Sequence, residues 1–335
     1  MSQCLRVVTL NLLCENRSDR VGRARDAARI LKSGKVDFDI LCLQECVTND
    51  VKYVLKYAFS DPEYVIIESN HHRPRFPRLA YIPCVALGAL AIERYMYGQS
   101  AALFIFLAFV SMLLYPACLF RMVIRFALGC PGPFDMMGQT LIFRRRGIYA
   151  PCEPKILLNK PFKASIRGYP LPKSIVDAVK YFGQHCFARP GRLIVRFGDL
   201  LIVTAHLVVS QQGTTKNPHR ETQVRTILKD IRHIEQTTFS PKMVVCAGDF
   251  NAPLEFGASE VDLMQSLGGF SRPTGPLVTW DPVSNPLTEN THEGVSQLDY
   301  IFSKPGSYVS SGILFDGRNG PIVSDHYGIA LEIKY

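Results

Sequence analysis

The sequence predicts an α/β sandwich in which mixed β-sheets are covered by helices. Short runs rich in Val, Ile, Phe and Tyr, bounded by Gly, Pro, Asn or Asp, alternate with stretches of helical periodicity. Interleaved strands and helices, with some hairpins, are typical of this class. The chain has 335 residues, 47% of them hydrophobic, which is enough for one large domain or two small ones.

The strand predictions rest on composition and the helix predictions on spacing. Two segments have apolar residues on one helical face, Asp19–Lys32 and His219–Glu235. The two strands that flank Gly198-Asp199 are expected to form a hairpin. The predicted strands are Leu5–Leu13, Phe38–Glu45, Tyr64–Ser69, Arg192–Gly198, Asp199–Leu207, Lys242–Asp249, Gln297–Ser303 and Tyr327–Tyr335.

Charge and cysteine usage limit the classes of partner. The formal net charge of +9 favours a polyanionic partner. Such a partner could be nucleic acid, an anionic membrane surface or a phosphorylated substrate. The ten cysteines include no C-x-x-C pair, so no zinc site is expected. Residues 1–15 lack a secretory signal, so we expect reduced thiols and a location on the cytosolic side. Cys42 and Cys246 fall in apolar runs and are expected to pack as small hydrophobes.

One apolar insertion, residues 79–129, divides the predicted catalytic domain into 1–78 and 130–335. Within it, Ser100–Phe120 is 21 residues long without a charge, and a helix of that length spans about 31 Å. Both flanks must lie on one side of a membrane if they form one domain, which excludes a single crossing. A membrane-associated helical hairpin, crossing or only partly inserted, is therefore expected, with the catalytic domain on the cytosolic side. The alternatives are a re-entrant or interfacial segment and a buried helical pair in a soluble lobe.

Polar side chains follow the ends of the apolar runs. They are Asn11, Glu45, His206, Asp249, Asn251, Asp299, Asp325 and His326. Ligands of open α/β sheets collect at strand ends, so we expect these side chains to converge. Carboxylates, amides and imidazoles without cysteine suit Mg²⁺, with Mn²⁺ as a second option, and suit phosphoryl chemistry.

The ordered motifs "TLN", "LQE", "TAHL", "GDFN", "LDYIF" and "SDH" resemble the endonuclease/exonuclease/phosphatase, or DNase-I-like, superfamily. That resemblance implies a four-layered α/β sandwich with two packed sheets and a Mg²⁺-dependent phosphoester hydrolase. It also implies roles for the eight residues. Glu45, Asn11 and Asp325 would serve the metal; His326 oriented by Asp299, with Asp249, would move protons; Asn251 and His206 would bind phosphoryl oxygens.

Three segments resemble the neutral sphingomyelinase branch. They are "ILLNKPF" (Ile156–Phe162) followed by Pro190-Gly191, "VTWDPVSNPL" (Val278–Leu287), and an R-x-x-Q spacing in "HRETQVRTIL" (His219–Leu228). Pro190 stands where a Lys is typical of this branch. The alternatives are a loop packed around Trp280 and a solvated helix face.

These observations together predict a membrane-associated phosphodiesterase of the phospholipase C type that acts on a sphingomyelin-like lipid. A nuclease or deadenylase with the same residues is the first alternative, favoured by the positive charge. An inactive membrane adaptor with the same fold is the second. The oligomeric state is left open by the sequence.

Overall fold

The computed structural model describes residues 4–13, 19–69, 138–146, 149–161, 191–208, 218–275, 277–288 and 294–334. Described residues include eleven strands and four α-helices. The strands are β1 (Cys4–Asn11), β2 (Ile40–Gln44), β3 (Tyr64–Glu68), β4 (Thr140–Arg144), β5 (Lys155–Pro161), β6 (Gly191–Phe197), β7 (Leu200–His206), β8 (Met243–Asp249), β9 (Asp299–Lys304), β10 (Ser307–Leu314) and β11 (Gly328–Lys334). The helices are α1 (Arg20–Lys32), α2 (Asn49–Ala58), α3 (Pro218–Thr237) and α4 (Ser259–Ser266).

Two mixed sheets form the centre of the fold. The first has the strand order β10-β11-β1-β2-β4-β3 and the second β5-β6-β7-β8-β9. Only β1 with β2 and β7 with β8 run parallel among the described pairs. The predicted hairpin at Gly198-Asp199 is confirmed, since β6 and β7 pair antiparallel across it.

Three apolar layers hold the sheets and helices together. The layer between the sheets contains side chains of both, including Val7 and Ile202. A second layer joins the outer face of the first sheet to α1 and α2, and a third joins the outer face of the second sheet to α3 and α4. This is the predicted four-layered α/β sandwich. Cys42 and Cys246 are fully buried in it, as predicted.

The predicted insertion 79–129 lies outside the described residues, so its boundaries and its membrane contact stay predictions. Within the described ranges, no helix combines the length and apolar composition that a bilayer crossing needs. The described elements belong to one compact unit, formed by Met1–Asn70 and Asp135–Tyr335.

Candidate active site

Polar side chains gather where β1, β2, β7 and β8 end. In the second sheet, His206 is directly opposite Asp249, and Asp249 is directly opposite Asp299. Residues paired in this way project from the same face of a sheet. The three side chains therefore form a row, while Asn11 ends β1 in the first sheet.

Asp249 is the centre of the hydrogen-bond network. The amide nitrogen of Asn11 donates to Asp249 Oδ2 over 3.0 Å and to Glu45 Oε1 over 2.9 Å. The backbone N–H of Asn251 donates to Asp249 Oδ1 over 2.8 Å. Asn11 thus connects the carboxylates of the two sheets. Its own oxygen accepts a hydrogen bond from the backbone N–H of Leu13 over 3.0 Å.

Two histidines lie on either side of this carboxylate. His206 Nε2 is 3.7 Å from Asp249 Oδ2 and 3.9 Å from Glu45 Oε1. His326 Nε2 is 3.8 Å from the same oxygen of Asp249. The structure therefore brings together four residues that are far apart in the sequence, and one phosphate group could reach all of them. They are Glu45, His206, Asp249 and His326.

His326 is paired with Asp299. Its Nδ1 is 2.7 Å from Asp299 Oδ2, and both residues are buried. Burial by itself lowers the pKa of His326, but the charges of Asp299 and Asp249 outweigh that effect and raise the pKa well above its ordinary value. The hydrogen bond holds the imidazole in one orientation, with Nε2 directed towards Asp249.

The backbone around Asp249 explains how β8 presents this carboxylate. Gly248 has a φ of 145°, and a Cβ there would lie 1.9 Å from the carbonyl oxygen of Ala205 on β7. Only glycine fits such a close approach. Asn251 adopts a left-handed conformation with φ of 49°, and its side-chain amide donates to the carbonyl of Leu207 over 2.9 Å. One N–H of that amide is thereby used within the protein.

The donor set fits a hard divalent cation. Glu45 is also left-handed, with φ of 59°, and its Oε2 is buried without a hydrogen-bond partner among the described residues. A cation would satisfy such an oxygen. Asp249, Asp299 and His326 have ligand atoms within 4.8 Å of one another, which is a further spacing compatible with an ion. Asp325 accepts a hydrogen bond from Ser324 Oγ over 3.2 Å.

The segment Val278–Leu287 supports both members of the His326–Asp299 pair. Thr279 Oγ1 accepts the backbone N–H of Asp299 over 3.1 Å, and its carbonyl accepts the N–H of Tyr327 over 2.8 Å. The Trp280 ring meets the His326 ring edge to face, with centroids 5.1 Å apart. The sequence by itself predicts no role for Thr279. The Trp280 loop contacts the site directly, so it does more than pack around Trp280, which was the alternative given above.

The R-x-x-Q spacing on α3 has a structural explanation. Arg220 is fully buried and its Nε is 2.6 Å from Glu260 Oε1 on α4. Gln223 accepts the backbone N–H of Val208 over 3.0 Å, two residues after His206. The interpretation of this face as solvated is therefore wrong. The Arg220 ion pair connects α3 to α4, and the Gln223 hydrogen bond connects α3 to the segment that follows β7.

Comparison with known proteins places the chain in a family. The model of the "Endonuclease/Exonuclease/phosphatase family" matches residues 8–326, which is most of the chain. The matched range includes all eight predicted site residues. No curated protein sequence matches this chain.

Solved structures with the same fold have low sequence identity to it. They include D. rerio TDP2 complexed with single strand DNA product, with 16% identity, a TM-score of 0.55 and 98% of each chain covered. Another is beta toxin 275-280 from Staphylococcus aureus, with 13% identity, a TM-score of 0.55, and 98% of this chain and 99% of that chain covered. A third is a family protein from Leptotrichia buccalis, with 16% identity, a TM-score of 0.54, and 99% of this chain and 100% of that one covered. These similarities show the shared fold.

Proposed function

The chain belongs to the endonuclease/exonuclease/phosphatase family of metal-dependent phosphoester hydrolases, and from that premise we propose that it is a Mg²⁺-dependent phosphodiesterase of the phospholipase C type, acting on a sphingomyelin-like lipid at a membrane. The observation that carries the chemistry is the joint position of Asp249 and the two histidines. His206 Nε2 and His326 Nε2 lie 3.7 and 3.8 Å from one carboxylate oxygen.

Glu45 would hold the cation, since its Oε2 has no hydrogen-bond partner among the described residues. The family resemblance assigns Asn11 and Asp325 to the same cation. Mg²⁺ held there would supply Lewis-acid stabilisation of the charge that develops on the phosphoryl group. The Asn11 amide lies between the carboxylates of Glu45 and Asp249 and donates a hydrogen bond to each.

The protein's own groups handle protons and orientation. Asp249 accepts two hydrogen bonds and is placed to orient or deprotonate the attacking water. Asp299 holds His326 through Nδ1, which leaves Nε2 facing Asp249. A proton on Nε2 would stabilise the phosphoryl oxygens or pass to the leaving oxygen. His206 and the remaining N–H of Asn251 add donors to the same phosphate.

Residues 138 and 139 contact the part of the fold that carries the candidate site. The N–H of Cys46, which follows Glu45, donates to the carbonyl of Gly138 over 2.7 Å. The amide of Gln139 donates to the carbonyl of Gly191, which is paired with His206. Residue 138, where the described chain resumes after the insertion, is thus beside the candidate site. Binding of the predicted insertion to a membrane would raise the local concentration of a lipid substrate.

A nuclease acting on single strands is the second candidate. The net charge of +9 favours a nucleic acid partner, and the D. rerio TDP2 structure was obtained with a single strand DNA product. The same catalytic groups would serve either diester, so the choice depends on what the protein surface binds.

A direct assay separates the two. The full chain is reconstituted with Mg²⁺ and offered sphingomyelin vesicles, phosphatidylcholine vesicles or a labelled single-stranded oligonucleotide. Release of phosphocholine from sphingomyelin vesicles, lost with EDTA and with H326A, is the expected result. Cleavage of the oligonucleotide with no release from either vesicle would replace our proposal with the nuclease.

A further inference from the structure

One buried arginine outside the predicted site connects two of its loops. Arg23 lies on α1 and is 8% exposed. Its Nη1 donates to the carbonyls of Leu12, over 3.2 Å, and Val323, over 2.7 Å. Its Nη2 donates to the carbonyl of Leu13 over 2.8 Å. One guanidinium therefore bonds to two chain segments that are about 310 residues apart in sequence.

The two segments carry site residues. Leu12 and Leu13 directly follow Asn11, and the N–H of Leu13 fixes the Asn11 amide. Val323 lies two residues before Asp325. The next carbonyl, that of Ser324, accepts the side-chain amide of Asn285 over 2.9 Å. The turn that carries Asp325 and His326 is thus held at consecutive carbonyls from two sides.

Arg23 differs from the buried arginine on α3. Arg220 forms an ion pair with Glu260, whereas in the part of the chain that the structure describes Arg23 bonds only to backbone carbonyls. A buried guanidinium without a carboxylate partner is costly to desolvate. Packing alone would be better served by an apolar side chain, and a planar fork with several N–H groups is what bridging two loops requires.

We propose that Arg23 is a positioning residue that sets the distance between the Asn11 loop and the turn bearing His326. This inference rests on the proposed phosphodiesterase function of the site. Arg23 itself bonds to none of the eight predicted site residues. Through the two loops, it would nevertheless set the positions of Asn11 and His326.

The test compares R23K with R220K, because both variants keep a positive charge and replace a buried multi-donor group. Lysine at position 23 has one compact ammonium and cannot reach carbonyls of both loops in the arginine geometry. Turnover of bis(p-nitrophenyl) phosphate at saturating Mg²⁺ should fall about 10- to 100-fold in R23K, with KM changed less than kcat. R220K should stay near the wild-type rate.

Amide hydrogen exchange of metal-free protein supplies a second readout. Exchange in the segment 323–327 should accelerate in R23K and stay unchanged in R220K. Equal turnover and equal exchange in the two variants would overturn the proposal. R23Q, which removes the charge but keeps two N–H groups, replaces R23K if the latter does not fold, with the same outcomes. Exchange does not depend on substrate, so it decides the positioning role even if the wild type hydrolyses no diester.

Discussion

His326 Nδ1 lies 2.7 Å from Asp299 Oδ2, although one residue precedes β11 in the first sheet and the other begins β9 in the second. The pair therefore spans the two sheets. Thr279 holds the backbone on both sides of it, through the N–H of Asp299 and the N–H of Tyr327. The orientation of the imidazole is consequently a property of the whole sandwich rather than of a local motif.

We expect H326A to lower kcat for a soluble phosphodiester by about 10²- to 10⁴-fold, the usual contribution of a positioned acid–base group. D299N should also lower kcat, since a neutral amide no longer balances the charge of the imidazolium. Stopped-assay kinetics with bis(p-nitrophenyl) phosphate measure both. Thermal unfolding of each variant is the control that separates lost chemistry from lost fold.

The same pair predicts a change in proton affinity. Asp299 and Asp249 raise the pKa of His326 despite its burial, so removing one negative charge must lower it. NMR titration of the His326 ring in metal-free protein should give a lower pKa in D299N than in the wild type. An unchanged or higher value in D299N would contradict the assignment of Asp299 as its partner.

Binding of Mg²⁺ should stabilise the fold in a way that depends on Glu45. A ligand that binds only the native state raises its stability by RT ln(1 + [L]/Kd), and Glu45 Oε2 is an unsatisfied buried oxygen among the described residues. The melting temperature should therefore rise with Mg²⁺ in the wild type and much less in E45Q. E153Q is the matched control, because Glu153 is exposed and pairs with Arg145 away from the site. Equal shifts in E45Q and E153Q would exclude Glu45 as a ligand.

Gly248 and Gly257 should respond very differently to alanine. Both have positive φ, but a Cβ at Gly248 would meet the carbonyl of Ala205, whereas Gly257 has open space around it. We expect G248A to lower the free energy of unfolding by about 3–5 kcal/mol, from overpacking and backbone strain together. G257A should cost about 1–2 kcal/mol. Urea denaturation measures both, and similar costs would show that β7 and β8 can separate locally.

Most strands could be predicted because their apolar runs are long and bounded by turn residues. The predicted ends of Leu5–Leu13 and Asp199–Leu207 lie within two residues of β1 and β7. The missed elements are α2, α4, β4, β5 and β10, and two of them have weak signals. Helix α2 is short and rich in Val and Tyr, which favour strands, and β10 is a largely solvent-accessible edge strand with three serines and a glycine.

The site could be predicted as a set of residues but not as a geometry. Their positions beside strand ends predict Asp249 and His326 as site residues. The distance between them depends on how the two sheets stack, which no local pattern specifies. The supporting groups were missed for a related reason. Arg23 falls in a predicted helix, where a charged residue is expected on the solvated face, and only the structure shows it buried against carbonyls of two loops.

A last prediction concerns acid stability, far from the site. Partial burial tends to raise the pKa of Asp37, but the hydrogen bond from Arg146 and the charges of Arg146, Arg6 and Arg144 outweigh it, so the pKa lies below its usual value. A carboxyl whose pKa is depressed by folding adds stability above its unfolded pKa, which is about 3.9. That stability is lost as the pH falls through the folded pKa.

The free energy of unfolding of the wild type should therefore exceed that of D37N at pH 6, and the difference should shrink as the pH falls from about 4 towards 2. Urea denaturation at several pH values measures it. D26N is the matched control, because Asp26 forms a single exposed ion pair with Arg29 three residues away, and pairs of that kind contribute little. If the difference in unfolding free energy between wild type and D37N stays constant from pH 6 to below pH 3, or grows in acid, the three arginines do not hold this carboxyl ionised. If the difference disappears in acid for D37N and does not change for D26N, that part of the acid sensitivity lies at the start of β2, where Arg6, Arg144 and Arg146 converge.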